Sequence, residues 1–119
     1  MTDVAAGLRR VIIVLTITIV SIDGAHAASF DCDAKELKPD EKAICDNRAL
    51  NDADVKMVTT FDLLSGLLAM GARGSMQDEQ TAWLKTRQAC GADTTCIKAA
   101  YDARLRQLDQ IYKNINRPL

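Results

Sequence analysis

The stretch TAWLKTRQACGADTTCIKAAYDAR, residues 81–104, decides the fold. It reads as the end of one helix, a tight turn and the start of the next. Trp83 supplies a large apolar contact, with Ala82 and Leu84 beside it. Gly91 suits the left-handed position that closes a helix, and Asp93 suits the N-cap of the helix that follows. Cys90 and Cys96 bracket the turn, so a disulfide between them would clamp it. Downstream, Ile97, Tyr101, Leu105, Leu108, Ile111 and Ile115 recur at steps of three and four. That spacing lays one apolar stripe along a helix from Thr94 to Ile115, which Pro118 stops.

Working back toward the N-terminus, Ser75-Met76-Gln77-Asp78 reads as a capping box that starts the preceding helix near Met76. Before it, Leu50, Ala53, Met57, Phe61, Leu64 and Leu68 share one face of a longer helix, capped by Asn47 or Asn51. Gly66, Gly71 and Gly74 each weaken a helix by up to ~1 kcal/mol relative to alanine. This helix is therefore expected to fray after Met70 and to pass into a loop from Gly71 to Gly74. Lys38-Pro39-Asp40-Glu41 opens a short helix reaching Cys45, with proline at the first helical position and two acids at the positive end of the dipole. Residues 28–119 show no alternating strand pattern. The expected fold is all-α: a small antiparallel three-helix bundle with a short extra N-terminal helix and two disulfides.

The first 27 residues read as a leader and the remainder, 28–119, as one domain. Arg9 and Arg10 precede an apolar run from Val11 to Ile22, and Ala25-His26-Ala27 has the small-x-small pattern of a signal-peptidase site. The run is well short of the roughly 20 residues that cross a bilayer as a helix. Cys32 follows Ser29-Phe30-Asp31, which does not fit the small, apolar residues of a lipid-attachment box. The expected product is periplasmic or secreted, with no membrane association after cleavage. An even number of cysteines in a short exported chain reads as a disulfide framework. Proximity in sequence favours Cys32 with Cys45 and Cys90 with Cys96; the spacing lacks the paired knuckles of a zinc site.

Removal of the leader takes two basic and two acidic residues from totals of 15 and 16, leaving 13 and 14. That balance gives no electrostatic reason to expect nucleic acid or anionic lipid as a partner. The single histidine, His26, leaves with the leader. Without it, and with its cysteines oxidised, the domain lacks a nucleophile–base constellation. No enzyme activity, metal or cofactor is expected.

Taken together, Cys32, Glu41-Lys42-Ala43-Ile44-Cys45, Leu50-x2-Ala53-Asp54, Ala82-Trp83-Leu84-x2-Arg87-x2-Cys90 and Cys96-x4-Tyr101-x2-Arg104 resemble the N-terminal domain of the LprI-type lysozyme inhibitors. Phe61 and Ala53 stand where that family more often has tyrosine and leucine. The resemblance implies a helical, disulfide-bonded envelope domain that binds lysozyme. The alternative is a structural or stress-related module that binds another envelope protein.

Trp83 and Tyr101 are read as core, since aromatics at helical spacing are usually buried. Arg87 and Arg104 border the apolar stripes and are expected to pair with an acid, the best candidate being Asp54. The expected loop supplies the candidate partner contacts. Met70 and Met76 flank it as adaptable apolar side chains, and Arg73 within it is a cation suited to the paired carboxylates of a lysozyme cleft.

Overall fold

The computed structural model describes residues 28–115. The leader read in residues 1–27 and the stop at Pro118 lie outside the described residues. Four helices make up the fold: α1 (Pro39–Asp46), α2 (Arg48–Leu67), α3 (Met70–Ala89) and α4 (Thr94–Asn114). No strand occurs among the described residues. The most extensive packing is α2 against α4; α1 packs mainly on α2, and α3 mainly on α4.

The helix starts have local causes. Pro39 opens α1, and Glu41 Oε2 accepts from the Lys38 amide at 2.9 Å. Asn47 caps α2, its Oδ1 accepting from the Ala49 and Leu50 amides at 3.0 and 3.2 Å. Asp93 does the same for α4, its Oδ1 accepting from Thr95 and Cys96 at 3.0 and 3.1 Å. Gly91 closes the α3–α4 turn at φ 56°, the left-handed conformation that a side chain disfavours.

The core follows the helical periodicity. Leu50, Met57 and Leu64 of α2 are buried with Ile97, Tyr101 and Leu108 of α4, and with Ile44, Met76 and Trp83. Ala53, Phe61, Leu68, Leu105, Ile111 and Ile115 complete the same faces as partly buried contacts. The Trp83 and Tyr101 rings meet at 5.2 Å between centroids, tilted by 59°. Both disulfides are present, Cys32–Cys45 and Cys90–Cys96. The first ties the aperiodic N-terminal segment to α1; the second clamps the turn between α3 and α4.

The border between α2 and α3 departs from expectation. The chain breaks at Leu68 and Ala69, both extended (ψ 144° and 157°), and α3 begins at Met70. Gly71 and Gly74 thus lie inside a helix, and Ser75 is a mid-helix residue rather than a cap. A side chain, not a glycine, shapes the break: Arg73 Nη2 donates to the Leu68 carbonyl at 3.0 Å, satisfying an acceptor that the interrupted helix leaves free. The early start of α3 also carries Met76 into the core, where it is 1 % exposed.

Candidate functional site

One residue from each helix converges on a buried polar cluster. Asp40 occupies the second position of α1, one turn before Ile44, so both point into the molecule. Asp54 lies in the second turn of α2, Arg87 in the last turn of α3 and Tyr101 in the middle of α4. Arg87 Nε donates to Asp40 Oδ2 at 2.9 Å, and its Nη1 donates to the Tyr101 hydroxyl at 3.3 Å. That hydroxyl donates in turn to Asp54 Oδ1 at 2.7 Å, which also lies 3.7 Å from Arg87 Nη1. The second oxygen of Asp54 accepts from the Ser29 amide at 2.6 Å. The guanidinium sits against the rings of Phe30 and Trp83, 5.6 and 5.8 Å from their centroids. Trp83 Nε1 donates to the Ala100 carbonyl at 2.8 Å.

None of these four polar residues is more than 3 % exposed. Burial, and then the charge of Asp54, pushes the Tyr101 hydroxyl far above its ordinary pKa. Burial works against the Arg87 guanidinium, but Tyr101 and Asp40 outweigh it and hold its pKa above the ordinary value. No substrate reaches so enclosed a group, so the cluster acts as an internal fastener that joins all four helices.

Arg104 forms a second node, between α3 and α4. It is fully buried and donates to Gln80 Oε1 (2.8 Å), Gln107 Oε1 (3.0 Å), the Met76 carbonyl (3.0 Å) and Glu79 Oε2 (3.2 Å). Asp54 is thus served by Arg87, while Arg104 is committed elsewhere.

Of the candidate partner contacts, Met70 is 85 % exposed, Arg73 is half-buried with its guanidinium on the Leu68 carbonyl, and Met76 belongs to the core. Met76 is therefore a core residue and not a flank of an open loop, because the helix that replaces the expected loop turns it inward. Leu63 and Leu67, one turn apart on α2, are also more than 60 % exposed. Leu67 closes α2 and Met70 opens α3, so both stand at the α2–α3 elbow.

Three curated proteins resemble the chain, all described as lipoprotein LprI and all mycobacterial: one from Mycobacterium bovis and two from strains of Mycobacterium tuberculosis. Each is 31 % identical over 83 residues, which is 67 % of this chain. The chain is thus similar to lipoprotein LprI, distantly and over part of its length. It spans 40 % of the length of these relatives. No family model matches the chain, and no solved structure matches it. Although those relatives are named lipoproteins, Cys32 here is bonded to Cys45, so its sulfur is not available to a lipid. No helix among the described residues is long and apolar enough to cross a membrane.

Sequence reasoning offered Arg87 or Arg104 as the partner of Asp54 and read Trp83 and Tyr101 as core, but it missed Asp40, Phe30, Ser29 and the contact of the Tyr101 hydroxyl with Asp54. Asp40 already had a sufficient local role at the start of a helix. The signal that pointed inward was its spacing of four from Ile44.

Proposed function

We propose that this chain is a non-catalytic, exported binding protein of the bacterial cell envelope whose partner is a lysozyme, blocked by occlusion of its cleft. The similarity to lipoprotein LprI carries the reading. A rigid helical frame closed by two disulfides supports it, since such a frame suits an oxidising compartment. In this reading residues 1–27 are a leader cleaved after Ala27, and residues 28–119 act in the periplasm or outside the cell. In the same reading α3 and α4 run antiparallel, a course favoured by the contacts of Trp83 with Ala100 and of Gln80 and Met76 with Arg104.

The elbow bearing Leu63, Leu67 and Met70 enters the cleft, because large exposed apolar side chains gather there and Arg73 fixes its shape. The test is a titration of the purified 28–119 chain against several lysozymes, alongside Leu67→Asp and Met70→Asp variants checked by circular dichroism. The expected result is inhibition by the wild type and at least tenfold weaker inhibition by each variant, about 1.4 kcal/mol. Equal inhibition by variants and wild type removes the elbow from the contact. No inhibition of any lysozyme overturns the choice of partner and favours another envelope protein.

A further inference from the structure

The buried cluster holds two carboxyl groups, Asp40 and Asp54, against one guanidinium, Arg87. Tyr101 adds a neutral hydroxyl. Arg87 aims Nε at Asp40 at 2.9 Å and stands 3.7 Å from Asp54, so its charge is spent mainly on the first. Asp54, fully buried, is left with hydrogen bonds from a phenol and from a backbone amide. Two buried carboxylates that share one cation leave an uncompensated charge, which is costly, and neutral donors offset only part of that cost.

The amide in question belongs to Ser29, at 2.6 Å from Asp54 Oδ2. One residue earlier lies Ala28, half-buried, the residue that follows the Ala25-His26-Ala27 processing motif. The Cys32–Cys45 bridge holds this segment to α1, and Phe30 lies against Arg87, so its position is already constrained.

We propose that the α-ammonium group of Ala28, created when the leader is removed, is a second cation of this cluster, so that processing completes the ion pairing that Asp54 otherwise shares with Asp40. The proposal rests on the processing step of the function reading. Hydrolysis of the Ala27–Ala28 bond consumes one water. The leader departs with the new carboxylate, and the Ala28 nitrogen takes a proton from solvent to become ammonium. Before that step the same nitrogen is a neutral amide and brings no charge to Asp54. The groups that face the site are Asp54 from α2, Asp40 from α1, Arg87 from α3 and Tyr101 from α4. Processing therefore ties the N-terminus to all four helices and stabilises the fold only in the mature chain.

The test compares the 28–119 chain bearing a free α-amine with the same chain acetylated at that amine alone, each also carrying Asp54→Asn. Urea unfolding should show acetylation lowering the folding equilibrium constant about tenfold in the wild-type background, and leaving it unchanged in Asp54→Asn. In the free form, nuclear magnetic resonance should find the Ala28 amine titrating about one unit above the usual ~8 of a chain terminus. The sign follows: the ammonium's contribution is complete below the ordinary value and is lost as pH rises through the higher one. The two forms should then converge in stability at high pH. Should Asp54→Asn fail to fold, the amine titration in the native chain decides alone. An ordinary titration with equal stability of the two forms overturns the pairing. Recovery from the envelope of a chain that retains residues 1–27 overturns the processing step instead, a result read separately by N-terminal sequencing.

Discussion

Arg87 donates to Asp40 on one helix and to the Tyr101 hydroxyl on another, and that hydroxyl relays the contact to Asp54. Removing one partner of such a buried pair strands the other. Asp40→Ala should therefore lower stability by about 3–5 kcal/mol, read as a fall in the urea midpoint. An unchanged midpoint would show the contact to be idle. Tyr101 makes a second, pH-dependent prediction. Its folded pKa is raised, so the unfolded chain gives up this proton first as the solution turns alkaline. The contribution is complete below the ordinary value of about 10 and is lost as pH climbs through the folded one, with a slope of up to ~1.4 kcal/mol per pH unit. Stability measured across the alkaline range should fall less steeply for Tyr101→Phe than for wild type. The pairing of Asp54 with an arginine, Arg87 or Arg104, was legible in the sequence because these charges border the apolar stripes; the Tyr101 relay was not, since an aromatic on the stripe is already explained as core. The part played by Asp40 was not, since an acid in the first turn of a helix is already explained by the dipole. Ser29 and Phe30 lie in an aperiodic segment, whose placement depends on a bridge rather than on any pattern.

The helix faces, the short α1 and the turn at Gly91 follow from spacing and cap chemistry, and all were readable in advance. The α2–α3 border was not. Glycine propensity placed a loop at Gly71 to Gly74, but propensity is a weak term. Burial of Met76 and Leu68, with the Arg73 contact to the Leu68 carbonyl, outweighs it. The actual break, at Leu68 and Ala69, carries no local breaker at all. The glycine cost still remains in α3. A side chain added at Gly74 meets nothing within 4 Å, so Gly74→Ala should raise stability by about 0.5–1 kcal/mol. Gly91 has equal space but a φ of 56°, so Gly91→Ala should lower stability by roughly 1 kcal/mol. Thermal melts of the two variants should move in opposite directions. If both rise, the left-handed turn is not a constraint; if both fall, α3 needs its glycine for another reason.

Across the molecule, the two bridges close loops of 13 and 6 residues. On the chain-entropy model these are worth roughly 3 and 2 kcal/mol. Replacing Cys32 and Cys45 together by serine should lower stability by more than replacing Cys90 and Cys96, and should also free the segment that carries Phe30 and Ser29 to the buried cluster. Chemical denaturation of the two double variants ranks them directly, and the reverse order would show that native strain or residual structure, not loop length, sets their value. The same short spans govern how the bonds first form. Any crossed pairing must close a loop at least roughly three times longer than the larger native one, an added cost of about 1 kcal/mol in the unfolded chain. Native partners therefore collide more often than wrong ones before any helix has packed. Each bridge can also form as soon as its own segment emerges, without waiting for distant parts of the chain. Oxidation of this protein should thus proceed with little thiol shuffling, and its correct pairing is built into the order in which cysteines occur along the chain.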